Sequence, residues 1–265
     1  MITVDNFNSV AEGANALSSG GRYYGGGTLV MRDANYAEEN LERIVRVSDP
    51  TLNEIRTQGN RQILGAGVTM AQIIRTRETE HLSDVAKAVG GPAIRSAATL
   101  GGNLFAPNPY GDFAVAMLAL SGIVSVTGAG EQGIEQFLAS RDSFAGIVQN
   151  VSLAVPDRGT FRFRKVSRIK PKGVSVMSIA AWLPQSAGRI SNARIAFGVM
   201  GPHPIRAKAA EQALEGAQLD EATVDRAVAT LNNDLKPMDD AIASGWYRSE
   251  VAPIHLKRML LERSG

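Results

Sequence analysis

The sequence predicts an α+β fold: two small α/β lobes, then a C-terminal domain of strands followed by helices. Three observations predict it. Up to Val155, short apolar strands alternate with glycine-rich turns and helical stretches. Pro156-Asp157-Arg158-Gly159 then punctuates the chain. Beyond it, three strand-like runs precede a stretch dominated by helices, the order expected of an α+β domain. The predicted domains are 1–158, with lobes of about 1–58 and 59–158, and 159–265. At 265 residues, 44% apolar and 20% charged, the chain has the composition of a soluble globular protein with a sizeable core.

In the first lobe, Val10 to Leu17 reads as a helix, and Arg22-Tyr23-Tyr24 as a short strand into the turn Gly25-Gly26-Gly27. Ile44-Val45-Arg46-Val47 alternates as a half-buried strand does, and Asp49-Pro50 ends it. The second lobe opens with strand Gln62-Ile63-Leu64, the turn Gly65-Ala66-Gly67 and a helix from Thr69. Ser83 is placed to cap a helix from Asp84 to Val89. A second glycine turn at Gly101-Gly102 leads past Pro107 and Pro109 to an apolar helix, Phe113 to Leu120. Strands Ile123 to Val126 and Ile147 to Val155 bracket a short helix, Ile134 to Ala139. In the last domain the strand runs are Phe161 to Ser167, Val174 to Leu183 and Ile190 to Met200, with helices from Ala207 to Leu261.

Composition excludes several chemistries. The chain has no cysteine, which removes disulfides, thiolate nucleophiles and cysteine-ligated iron–sulfur or zinc sites. His81, His203 and His255 lie far apart, without metal-ligand spacing. Twenty-eight basic and 26 acidic residues nearly balance, and the only basic run is Arg162, Arg164, Lys165, Arg168, Lys170 and Lys172. Alternation on a strand makes that run chiefly a solvated face, so no nucleic-acid partner is expected. Nothing resembles a signal segment or a membrane span, and a cytoplasmic protein without membrane insertion is expected.

The motifs that carry chemistry are the two glycine turns. Glycine lets another group approach backbone N–H donors, and successive N–H groups form a concave anion site. In Tyr24-Gly25-Gly26-Gly27-Thr28-Leu29 the threonine hydroxyl can reach a phosphate oxygen, but no lysine follows in P-loop register. The second, Ala98-Thr99-Leu100-Gly101-Gly102-Asn103, is more specific, because Asn103 both donates and accepts. Asp112 lies nine residues further on, where it suits a ribose hydroxyl or an N-cap for the helix from Phe113. Two such turns suit a diphosphate. The string Gly128-Ala129-Gly130-Glu131-Gln132-Gly133 has G-x-G-x-x-G spacing, yet follows a half-polar strand and places Glu131 where a pyrophosphate would lie. It reads as an exposed turn. No Ser/His/Asp set, catalytic carboxylate pair or activated nucleophile stands out, which favours a cofactor that brings its own chemistry.

In order along the chain, these motifs resemble the flavin-binding medium subunit of the xanthine dehydrogenase, or molybdenum hydroxylase, family. The first loop matches its glycines and threonine but has Leu29 where a polar residue is usual. Leu64-Gly65-Ala66-Gly67-Val68-Thr69 and Ala98 to Asn103 follow its next two motifs, the latter preceded by Ile94-Arg95 and followed by Gly111-Asp112. Lys165 and Arg168, Ala196-Phe197-Gly198-Val199, Pro204-Ile205-Arg206-Ala207 and Tyr247-Arg248 follow the remainder.

The resemblance implies a two-lobed FAD-binding domain of the vanillyl-alcohol oxidase (PCMH) type, then an α+β domain with a three-stranded antiparallel sheet. It implies FAD held by Gly25, Gly26, Gly27, Thr28 and Leu29 on one side and Ala98, Thr99, Gly101, Gly102 and Asn103 on the other. Tyr23 and Tyr24 would lie near the flavin, Gly111 and Asp112 at the ribose or adenine end, and Lys165 at the flavin ring. The implied partners are a large molybdopterin–molybdenum subunit and a small subunit with [2Fe–2S] clusters, in a heterotrimer or a dimer of heterotrimers. Electrons would pass from those clusters through FAD to an external acceptor. A self-contained flavin oxidase of the vanillyl-alcohol oxidase type is the alternative.

Overall fold

The computed structural model describes residues 2–36, 41–144, 146–169 and 173–262; Lys170 and Lys172 of the basic run lie outside the described residues. The first lobe comprises β1 (Thr3–Phe7), α1 (Val10–Ser18), β2 (Arg22–Tyr24), α2 (Val30–Tyr36) and β3 (Arg43–Val47), with a parallel sheet of order β1-β3-β2. Ser9 caps α1 by accepting from the Glu12 amide.

The second lobe contains β4 (Ile55–Gln58), β5 (Arg61–Gly65), α3 (Met70–Arg75), α4 (Ser83–Ala88), α5 (Pro92–Ala97), α6 (Leu100–Leu104) and α7 (Asp112–Ala119). It continues through β6 (Ile123–Val126), β7 (Gly130–Gly133), α8 (Ile134–Ser140) and β8 (Val148–Ala154). Its sheet is antiparallel, in the order β4-β5-β8-β6-β7. Residues 55–58, assigned from the sequence to the first lobe, pair here instead, with Ile55 opposite Leu64. The first sheet therefore ends at Val47. Thr69 and Gln72 form a capping box on α3. Ser83 does not cap: it is the first residue of α4, which continues a 3-10 turn over Arg77–Leu82.

The C-terminal domain comprises β9 (Phe161–Ser167), β10 (Ser175–Trp182), β11 (Gln185–Ser186), β12 (Arg189–Ile190), β13 (Arg194–Gly198), β14 (Ile205–Arg206), α9 (Lys208–Leu214), α10 (Glu221–Val228) and α11 (Gly245–Leu261). Its main sheet has four antiparallel strands, β14-β13-β10-β9, one more than expected, because the two-residue β14 pairs with Ala196 and Phe197. The single strand expected over Ile190 to Met200 is divided, since Asn192 adopts φ 57° between β12 and β13.

Two hydrophobic clusters follow from strand alternation. Met177, Ile179 and Ala181 of β10 face α9–α11, whereas Ala180, with Phe161, Phe163 and Trp182 beside it, joins the core of the second lobe. Between that lobe and the sheet lies α7, every residue of which is buried. Gly198 permits the approach, because a Cβ there would meet Val115 Cγ2 at 2.7 Å.

Arg248 ties the C-terminal domain together and is 1% exposed. Nε donates to Val176 O (2.8 Å), Nη1 to Met238 O (2.6 Å) and Ala243 O (2.9 Å), and Nη2 to both Asp240 oxygens (2.8 Å each). A lysine carries one ammonium and cannot reproduce this planar set. Arg248→Lys is expected to cost on the order of 3 kcal/mol, read as a lower urea midpoint.

Candidate flavin site

The two glycine loops, far apart in sequence, meet. A Cβ on Gly26 would overlap the Ala97 carbonyl, and one on Gly25 would lie 3.0 Å from Thr99 Oγ1. Only a chain without side chains can pass here. The second loop is set in turn by the Gly65–Thr69 segment. Leu100 N–H donates to Val68 O (2.8 Å), Gly101 N–H to Ala66 O (2.8 Å) and Met70 N–H to Ala98 O (3.0 Å). A Cβ on Gly101 would lie 2.9 Å from that of Ala66, so this glycine too answers to close approach.

The backbone donors of the two loops differ in their commitments. In the second, Leu100 and Gly101 bond as above, Gly102 N–H donates to Thr99 Oγ1 (3.1 Å) and Asn103 N–H to Thr99 O (3.0 Å). In the first, the N–H groups of Gly25 to Leu29 have no protein acceptor among the described residues. Carbonyls there are used instead: Gly27 O and Leu29 O accept from Met31 and Asp33 at 2.9 Å. Leu29 thus opens the first turn of α2.

Asn103 is buried and has a task the sequence did not reveal. Its Oδ1 accepts from the Phe113 amide (2.9 Å) and the Ala114 amide (3.2 Å), capping α7 from outside. Asp112 is not that cap; it is the first residue of α7, behind Gly111 in a left-handed conformation (φ 88°). The Asp112 carboxylate turns to the C-terminal domain. Oδ2 pairs with Lys165 Nζ at 2.9 Å, and Oδ1 accepts from Ser175 Oγ at 2.6 Å. Lys165 Nζ also donates to Ala88 O (2.9 Å). Asp112 and Lys165 are therefore brought together, with side chains 5% and 16% exposed. Neither Ser175 nor the Ala88 carbonyl carries a sequence signal for this role.

Tyr23 and Tyr24 leave β2 in opposite directions, as successive strand residues must. Tyr23 packs on the core of the second lobe and lies beside Gly25. Burial pushes its phenol up to about 12. Tyr24 packs on Gly27 and lines a cavity of about 400 Å³ with Ile2, Val4, Met31, Ile44 and Arg46. Arg32 of α2 stands over the ring of Tyr110, 5.5 Å from its centroid, joining the first lobe to the chain that leads into Asp112. The G-x-G-x-x-G string forms the β6–β7 hairpin, Val126 opposite Gly130, and has no part in this cleft.

Fold and loops together define a two-lobed nucleotide-cofactor domain fastened to an α+β domain. Residues 2–151 match the model of the FAD binding domain in molybdopterin dehydrogenase, and residues 162–263 that of the CO dehydrogenase flavoprotein C-terminal domain. The chain belongs to this family of FAD-binding molybdopterin dehydrogenase flavoproteins. It is 25% identical to the carbon monoxide dehydrogenase medium chain of Afipia carboxidovorans over 88% of this chain and 85% of that one. It is 28% identical to the nicotinate dehydrogenase FAD-subunit of Eubacterium barkeri over 89% and 86%. A chain of carbon monoxide dehydrogenase from Hydrogenophaga pseudoflava superposes with a TM-score of 0.89 at 21% identity, over 98% of this chain and 96% of that one, which shows the shared fold.

Gly26→Ala is expected to force the loops apart and lower stability by about 1–3 kcal/mol. Gly133→Ala, where a Cβ meets nothing within 4 Å, should leave thermal unfolding near wild type. The Tyr23 phenol has its own signature. Its folded pKa is raised, so its share of stability is complete below the unfolded value near pH 10 and is lost as pH rises toward about 12. Tyr23→Phe should remove the last-titrating tyrosine from an ultraviolet absorbance titration.

Proposed function

We propose that this chain is the electron-transferring FAD subunit of a multi-subunit molybdenum hydroxylase. The observation that supports this best is the pairing of two fused glycine loops, one with its amides committed to protein acceptors and the other with amides to offer. Uncommitted successive N–H groups suit a diphosphate. The Cβ clashes at Gly26 and Gly101 mark the rigid wall behind it. Gly25, Gly26, Gly27, Thr28 and Leu29 would hold the diphosphate, and Ala98, Thr99, Gly101, Gly102 and Asn103 would shape the opposite wall. Tyr23 and Tyr24 would flank the cofactor and Lys165 would meet the flavin ring. Asp112, 2.9 Å behind Lys165, would then stand at that end with Gly111, not at the ribose or adenine end.

Bound FAD supplies redox chemistry that accepts electrons singly or in pairs. This chain's own residues bind and orient it, and the buried contacts of α7 keep the two domains from separating around it. Electrons would arrive from the [2Fe–2S] clusters of a small partner subunit. A large molybdopterin subunit would oxidise the substrate, and an external acceptor would take the electrons from FAD. A heterotrimer, or a dimer of heterotrimers, in the cytoplasm completes the reading. Correspondence over 88% and 89% of this chain with a carbon monoxide dehydrogenase medium chain and a nicotinate dehydrogenase FAD-subunit supports it over a self-contained oxidase.

Purified with FAD, the chain should be yellow and melt at a higher temperature than without it, since a ligand bound only to the folded state stabilises it. A colourless chain whose melting temperature ignores FAD refutes the reading. The double variant Gly102→Val, Asn103→Ala should lose flavin absorbance, and retention at wild-type level refutes the loop assignment. Turnover of a small alcohol by the chain alone would favour the oxidase.

A further inference from the structure

The Asp112–Lys165 pair is more elaborate than a domain fastener requires. Along β10, alternation sends Met177, Ile179 and Ala181 to the helical side of the sheet, and Val176 joins them. Two neighbours can share a side because the β9–β10 register slips between Ser175 and Met177. The bulge re-aims Ser175 toward α7, where its hydroxyl reaches Asp112. Bulges of this kind recur beside active sites. Both oxygens of Asp112 are thereby engaged by the C-terminal domain. Lys165 has three N–H donors. Two reach Asp112 and Ala88, and the side chain keeps 16% of its surface.

We propose that Asp112 is a positioning residue that fixes the Lys165 ammonium and offsets its charge, so that the pair sets the reduction potential of bound FAD. This rests on the reading above, in which Lys165 meets the flavin ring. Two-electron reduction with uptake of one proton adds a net negative charge to the ring. A bare ammonium beside it stabilises that charge, and a carboxylate 2.9 Å behind the ammonium weakens the effect. Burial makes the balance matter, because a charge left without its partner in a poorly solvated place is felt strongly by its neighbours.

The test is anaerobic reductive titration of the FAD-loaded full chain against a reference dye. Asp112→Asn keeps an oxygen for Ser175 and removes the charge, so the midpoint potential should move to more positive values. Lys165→Met should move it to more negative values, and the double variant, again neutral as a pair, should return close to wild type. A purely structural role for Asp112 predicts no such opposition. If Asp112→Asn binds FAD with an unchanged potential, or shifts in the same direction as Lys165→Met, the proposal is overturned. Should Asp112→Asn fail to fold, the double variant is compared with Lys165→Met alone. A more positive potential in the double supports the proposal, and equal potentials overturn it. A wild-type chain that takes up no FAD is a different result, which removes the underlying reading and this inference with it.

Discussion

Burial of α7 on every side is the constraint on which the remaining structure depends. Phe113 to Ala119 are wholly apolar, so the helix has no face to present to water and must be enclosed. The second lobe encloses it on one side and the β9–β10–β13 sheet on the other, which fixes the relation of the two domains. Its N-terminus still has backbone donors to satisfy, in a place without solvent. Asn103 supplies the acceptor, and because Asn103 belongs to the second glycine loop, that loop is fixed to the helix. Asp112, the helix's one charged residue, extends the tie into the C-terminal domain.

From that constraint the two glycine loops acquire unequal roles. The second is a structural hub whose amides bond inward, to Ala66, Val68 and Thr99. The first is placed by contact with the hub at Ala97 and Thr99, and its amides have no protein acceptor among the described residues. In general a preformed row of donors can bind an anion without first being ordered, which is what preorganisation means for affinity.

Much of this was legible in the sequence, and the boundary is instructive. The apolar run from Phe113, the strand over Phe161 to Ser167 and the helix beginning about Thr69 are local signals, and the structure repeats them. The solvated face expected on that strand is absent, because Arg162 and Lys165 bond to other elements. The G-x-G-x-x-G string lies in the antiparallel β6–β7 hairpin, not in the strand-to-helix turn that a dinucleotide fold needs. What escaped was non-local. β1 has an exposed, polar-rich pattern and forms by pairing with β3, Thr3 opposite Arg43, across 40 residues of chain. The two residues of β14 have no periodicity to read. Asp112 and Asn103 were both recognised as important, but which of them capped the helix depended on a contact ten residues long. Ser175 became a partner of Asp112 only through a bulge, and a bulge leaves no trace in composition.

The ties between the two domains fall at both ends of the enclosed helix. Near its start are Lys165–Asp112 and the Asn108 side-chain amide on Gly201 O (2.9 Å). Elsewhere on the same boundary, Glu135 of α8 receives Arg206 at 3.3 Å and Lys208 at 2.6 Å. Arg206 is itself held by Glu211, whose second task is to accept from the Ile195 amide (2.8 Å). The Pro204-Ile205-Arg206-Ala207 motif therefore acts as a hinge pin, joining the fourth strand to α8 of the flavin domain. Hinge closure around a ligand requires a boundary that can open; this one is pinned by ion pairs on either side of a helix that cannot be exposed.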